Sequence, residues 1–121
     1  MTSVINTNLS IEYGTNTNGA YYKFSDGTLI CTKKVTFSSV AITKAFGTWY
    51  ESTAVQNFGN WAHSFIATPS VSVQCINEGS KTATVELLST SDTAIGSSYL
   101  MRPTSDTQKC VFMVIGIGRW K

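Results

Sequence analysis

Apolar residues recur along much of this chain at a spacing of two. Val71-Ser-Val-Gln-Cys-Ile76 alternates cleanly, and Leu29, Cys31, Val35 and Phe37 share one parity of a single run. Side chains of a strand point alternately to opposite faces, so this period predicts strands with one buried face. The predicted series covers 20–24, 28–37, 61–66, 71–76, 82–88, 97–101 and a last run from Cys110. Asp26-Gly27 between the first two is a hairpin signal, because such a turn needs a positive φ that glycine adopts at little cost. Between 38 and 60 the period weakens: 40–46 reads as a strand or one helical turn, and 48–53 as an edge element. Asn77–Ser80 and 104–109 are polar and read as a turn and a loop. Regularly spaced short strands predict an all-β domain, an antiparallel β-sandwich.

The last run breaks the one-face rule. In Cys110-Val-Phe-Met-Val-Ile-Gly-Ile117, one parity carries Cys110, Phe112 and Val114, and the other Val111, Met113, Ile115 and Ile117. A surface strand of a small sandwich would be polar on one parity. The domain's own core covers one face. A second copy of the chain is the natural cover for the other, so the pattern predicts an oligomer.

With 121 residues the chain has the size of one domain. Residues 1–19, rich in Thr, Asn and Ser, read as an arm or linker with at most one short strand, at 3–5 or 9–13; residues 20–121 read as the sandwich. Only 13% of residues are charged, about half the ~25% of ordinary soluble domains. Ser and Thr number 32 and Asn seven, so solubility rests on hydroxyls and amides. A net charge of +2 gives no basis for a nucleic-acid partner or a membrane surface. The adjacent pair Lys33-Lys34 reads as the protection of an exposed edge strand.

Cys31, Cys75 and Cys110 fall on apolar parities and show no metal-ligand spacing, so all three read as free, mostly buried thiols. The N-terminus lacks the charged start and apolar stretch of a signal peptide, and no run is long enough to span a bilayer. Synthesis in a reducing cytosol is the expectation. No cofactor is implied. Asn8-Leu-Ser10 matches a glycosylation sequon but has no secretion signal beside it.

Four pieces in order carry a resemblance: Asn18-Gly-Ala-Tyr-Tyr-Lys-Phe-Ser-Asp-Gly-Thr-Leu-Ile-Cys31, Trp49-Tyr50, Phe65-Ile-Ala-Thr-Pro-Ser-Val-Ser-Val73 and Ile115-Gly-Ile-Gly-Arg-Trp-Lys121. Over residues 18–121 the chain resembles the C-terminal receptor-binding domain of bacteriophage and prophage tail-fibre proteins, and its layout is similar to the H-type lectin sandwich. It departs from that pattern at Cys31-Thr32, where many relatives have Trp or Gly. A second departure is at Phe65–Thr68, where many have Phe-Pro. The resemblance implies a homotrimer at the end of a virion tail fibre, attached to other tail or baseplate proteins and engaging a host cell-surface glycan. A structural trimerisation or capping domain and a free-standing bacterial lectin are the alternatives.

Chemistry follows the same line. One histidine, no nucleophile elbow and no phosphate-binding loop leave catalysis without a scaffold. Of the carboxylates, Asp26 belongs to the hairpin turn, and Glu78, Asp92 and Asp106 sit in turn-like polar stretches. Sugar recognition instead uses an aromatic ring under the apolar face of the sugar and polar groups at its hydroxyls. Trp49, Tyr50, Asn60, Trp61 and His63 bring such groups into the least regular stretch of the chain, with Tyr99 and Arg102 as a second set. For Trp49 and Trp61 the competing role is core or subunit axis; for Arg102 it is an ion pair. Arg119 and Trp120 read as anchors of the chain end, and Gly116 and Gly118 as points of close backbone approach.

Overall fold

The computed structural model describes residues 9–76 and 83–121. It is all-β, with ten antiparallel strands: β1 (Ile11–Asn16), β2 (Gly19–Phe24), β3 (Thr28–Phe46), β4 (Trp49–Ser52), β5 (Gln56–Asn57), β6 (Ser70–Cys75), β7 (Thr84–Val85), β8 (Ser97–Ser98), β9 (Leu100–Arg102) and β10 (Asp106–Arg119). No helix among the described residues is long and apolar enough to cross a membrane. The suggested strand at 3–5, the sequon's Asn8 and the Asn77–Ser80 turn lie outside the described residues.

β3 organises the sheet. Its first half pairs with β2 on one side and β10 on the other; its last residues pair with β4, which continues through β9 to β7. β10 also pairs with β6, so one half of the sheet runs β1-β2-β3-β10-β6. The β2–β3 hairpin forms at Asp26-Gly27, with Gly27 at φ +103° and its N–H donating to the Phe24 carbonyl at 3.0 Å.

Several expectations need correction. The stretch 40–46 is neither a separate strand nor a helical turn but the continuation of β3. The strand passes through a register shift where Phe37 faces Cys110 and Val40 faces Gln108. One extra residue on β3 there is a β-bulge, which bends the strand and resets its parity. A second irregularity between Ile42 and Lys44 repeats this against β4. The supposed loop 104–109 belongs to β10 from Asp106 onward. Residues 61–66 form no strand, and of the described residues 83–88 only Thr84–Val85 pair as one. The strand suggested at 9–13 forms as Ile11–Asn16, but as the outer strand of the sheet rather than part of an arm, so the boundary after residue 19 falls at the β1–β2 turn. Lys33 and Lys34 do not lie on an edge strand, because β3 is the most interior strand of the sheet. Lys33 Nζ donates to the Phe58 carbonyl at 3.0 Å, and desolvation holds its pKa below the usual lysine value.

The core lies between this sheet and a cover formed by residues 56–66 and 86–98. Leu29, Cys31 and Val35 of β3 and Cys110, Phe112 and Val114 of β10 face Phe58, Trp61, Phe65, Ile95 and Leu100. Phe37, Phe58 and Phe112 meet with ring centroids 5.2–6.2 Å apart, each such contact adding about 0.5–1.5 kcal/mol beyond burial. The cover is tied together by the two-stranded β5–β8 sheet, continued by Phe58 N–H to Gly96 and Ile95 N–H to Gly59, and then by single bonds from Trp61 N–H to Thr93 and Phe65 N–H to Asp92. Gly116 and Gly118 are where it touches β10. A Cβ on Gly116 would stand 2.7 Å from the Trp61 ring, and one on Gly118 2.8 Å from Phe65. None of the three cysteines is in a disulfide; burial raises the pKa of Cys31 and Cys110.

The doubly apolar last strand resolves into two different faces. Cys110, Phe112 and Val114 are fully buried; on the opposite parity Val111 is fully buried too and Met113 half-buried, whereas Ile115 and Ile117 are 39% and 50% exposed. Cross-strand register extends that exposed face: Ile117 stands beside Ile30, then Tyr22, then Tyr13. Ile11, also exposed, continues it on β1.

Candidate functional site

The seven residues singled out from the sequence separate into two places. Trp49 and Tyr50 on β4 meet Arg102 on β9, with Tyr50 directly opposite Arg102 and Glu51 opposite Met101. Tyr99 immediately precedes β9 and shares the Met101 parity. Asn60, Trp61 and His63 lie elsewhere, in the cover segment. Trp61 takes the core alternative: it is 4% exposed, donates from Nε1 to the Ser91 carbonyl at 3.2 Å, and packs edge-on against Phe65. His63 is half-buried against Tyr21, ring centroids 5.2 Å apart, with Nδ1 2.8 Å from the Ser64 carbonyl. Asn60 is exposed and bridges to Ala94. The stretch 49–63 is therefore not one site.

The β4–β9–β7 half presents a different surface. Trp49 and Tyr99 are each 41% exposed, and Phe46, opposite Trp49, is more so. Pairing places Thr84 beside Met101 and Met101 beside Glu51, which in turn stands opposite Lys44. Two hollows flank Met101. One, of about 340 Å³, is lined by Trp49, Ala83, Thr84, Met101, Arg102 and Pro103. The other, of about 120 Å³, is lined by Phe46, Glu51, Glu86, Leu88, Tyr99 and Met101. Tyr50 and Arg102 have the opposite parity and support this surface from beneath. Tyr50 packs on the core, and Arg102 is 8% exposed with Nη1 on the Asp106 carboxylate. Arg102 is thus held by an ion pair within the chain, and its Nε is buried without a partner.

Electrostatically the surface is mixed. Glu51 pairs with the exposed Lys44 at 3.3 Å, an interaction that water screens to about 0–1 kcal/mol. Glu86 lines the second hollow, and its backbone N–H donates to Ser98 Oγ at 2.9 Å. Exposed rings beside carboxylates and a threonine hydroxyl can hold a ligand with apolar patches and many hydroxyls. Among the described residues, no group of three or more His, Cys, Asp and Glu side chains is placed to hold a metal ion.

Phe46, Thr84 and Met101 were missed as site candidates. One signal was available: Phe46-Gly-Thr-Trp49 is a tight hairpin with Gly47 at φ +61°, and it pairs the two aromatics face by face. At the chain end, Arg119 and Trp120 anchor within the chain, Arg119 Nη2 to the Asp26 carbonyl at 2.7 Å and Trp120 Nε1 to the Phe24 carbonyl at 2.6 Å. Comparison with protein-family models, curated proteins and solved structures finds no match.

Proposed function

We propose that this chain is the receptor-binding tip of a phage or phage-like tail fibre, a β-sandwich that binds a host cell-surface glycan without catalysing a reaction on it. The observation that carries the reading is the β4–β9–β7 surface, where Phe46, Trp49 and Tyr99 stand exposed around Met101 beside Glu51, Glu86 and Thr84. Aromatic rings leave water at a favourable free energy when a sugar's apolar face covers them, and nearby polar groups take its hydroxyls. The ordered resemblance of residues 18–121 to tail-fibre domains supports the same reading, as does a low-charge, hydroxyl-rich composition. Made in the bacterial cytoplasm, the chain acts outside the host cell as part of the virion tail.

Assembly as a homotrimer belongs to this proposal. The outer face of β1-β2-β3-β10-β6 exposes Ile11, Tyr13, Tyr22, Ile115 and Ile117 together, and burying an Ile contributes roughly 1.5–3 kcal/mol. That face alone would suit the second reading, a trimerisation or capping module. The aromatic surface, which shares no residue with it, favours recognition. The test is a glycan array probed with the purified protein and with Trp49→Ala, together with light scattering. Specific retention that the substitution removes supports the reading; a blank array with a stable trimer leaves the capping module.

A further inference from the structure

The β4–β9–β7 surface is not one depression but two, with an aromatic at each. This inference rests on the glycan-binding reading and concerns the shape of the glycan. Trp49 lines the first hollow and Tyr99 the second, and Met101 lies between them and lines both. Trp49 stands two residues along β4 from Glu51, the partner of Met101, and Tyr99 two residues from Met101 on the opposite side, four residue steps in all. Four residues of extended chain span about 13 Å. That is more than twice the length of one pyranose ring.

A terminal monosaccharide would cover one hollow and leave the other ring in water. A chain of sugars laid along β9 covers both, with a middle unit over Met101. Polar groups are distributed accordingly: Thr84 belongs to the first hollow, and Glu51 and Glu86 to the second. Hydroxyls therefore find partners at each end of the span. The rigid elements beneath are in place as well, since Arg102 is fixed by Asp106 and Leu100 N–H donates to Ser52 Oγ at 3.0 Å across β4 and β9.

We infer that the ligand is an internal stretch of a linear polysaccharide about three sugar units long, bound with one unit on Trp49 and another on Tyr99, rather than a single terminal sugar.

The probes are linear ladders of one to six units cut from chitin, β-glucan, galactan and rhamnan, with the intact polymers alongside, titrated onto the full chain. Affinity is expected to rise about tenfold or more for each added aromatic contact, to level off beyond three units, and to fall about tenfold for the trimer in both Trp49→Ala and Tyr99→Ala. Both rings are exposed, and equal melting temperatures will show that the variants fold. A monosaccharide that binds as tightly as its trimer overturns the inference while leaving glycan binding standing. So does loss of trimer affinity in only one of the two variants. No binding of any ladder, intact polymer or host cell wall overturns the glycan reading, and the inference with it.

Discussion

Replacing Trp61 by alanine should destabilise the fold rather than remove a ligand contact. The indole is 4% exposed, its Nε1–H donates to the Ser91 carbonyl at 3.2 Å, and Phe65 meets it at 5.5 Å and 82°. Its six-membered ring also lies against the backbone of β10, in the space that a side chain at 116 would otherwise fill. Truncation leaves a cavity between β10 and the cover and takes the donor from Ser91. Buried Trp→Ala changes cost about 3–5 kcal/mol, a fifth or more of the ~5–15 kcal/mol that holds a typical domain together. With a urea slope of roughly 2 kcal/mol/M for a domain of this size, the midpoint should fall by about 2 M. Trp61→Phe keeps a ring over Gly116 and loses the hydrogen bond, so its shift should be well under half as large. Protein concentration must be equal across the series, since an oligomer's apparent stability depends on it. A midpoint shift below about 0.5 M for Trp61→Ala, with glycan retention abolished, would refute the core assignment.

Three further outcomes are expected. Asp26 accepts from the Thr28 backbone and hydroxyl, which lowers its pKa from the ordinary 3.8; its contribution is full above that value and disappears as pH falls through the lower folded value. The melting-temperature gap between wild type and Asp26→Ala should accordingly close on acidification, and a gap constant with pH would contradict the assigned turn role. Native thiol labelling should modify half-buried Cys75 before Cys31 and Cys110, which burial both shields and keeps protonated, and reductant should leave the melting temperature unchanged. Ile117→Lys, on the exposed face of β10, should leave a folded protein that light scattering finds as a monomer; an intact trimer would place the subunit contact elsewhere.

What was legible in the sequence is what local chemistry decides. Asp26-Gly27 marks its hairpin because the turn conformation itself demands glycine, and β6 alternates because one of its faces meets the core while the other meets water. β3 was read only to Phe37 because the bulge after it puts Phe37 and Val40 inward three residues apart, so the period of two fails although the strand continues. Residues 61–66 show the opposite error. Trp61 and Phe65 point into the core from a segment whose backbone bonds go singly to Thr93, Asp92 and Arg119, and apolar spacing does not distinguish that from a ladder. The start of β10 looked like a loop because its inward residues, Asp106 and Gln108, are polar and satisfied in part by Arg102 and Cys110. For the site, Trp49 and Trp61 were grouped by proximity in sequence, whereas β4–β9 pairing brings Trp49 to Met101 and Tyr99. No local signal in residues 49–63 announces a partner fifty residues away.

The bulges in β3 also bear on how the proposed assembly and the proposed site coexist. Before the first bulge, β3 shares the apolar face that carries Ile30, Ile117 and Tyr22; after the second, it pairs with β4 and leads to the face that carries Trp49, Met101 and Tyr99. Bulges bend a strand and sharpen its twist, so the two halves of one strand serve surfaces that do not compete. Covering the first face with neighbouring copies leaves the second open on every subunit. Shallow hollows with exposed rings give weak binding one at a time, because much of each ring's contact energy is offset by ordering the ligand. In the proposed trimer, three such surfaces facing a cell wall that repeats the same polymer would turn the second and third contacts into intramolecular events. Linked sites of this kind gain about 10²–10⁴ in avidity without any new contact. On the proposed function, a groove that would be inadequate on a monomer would suffice on a trimer, and the exposed isoleucines of β10 would contribute to adhesion without touching the glycan.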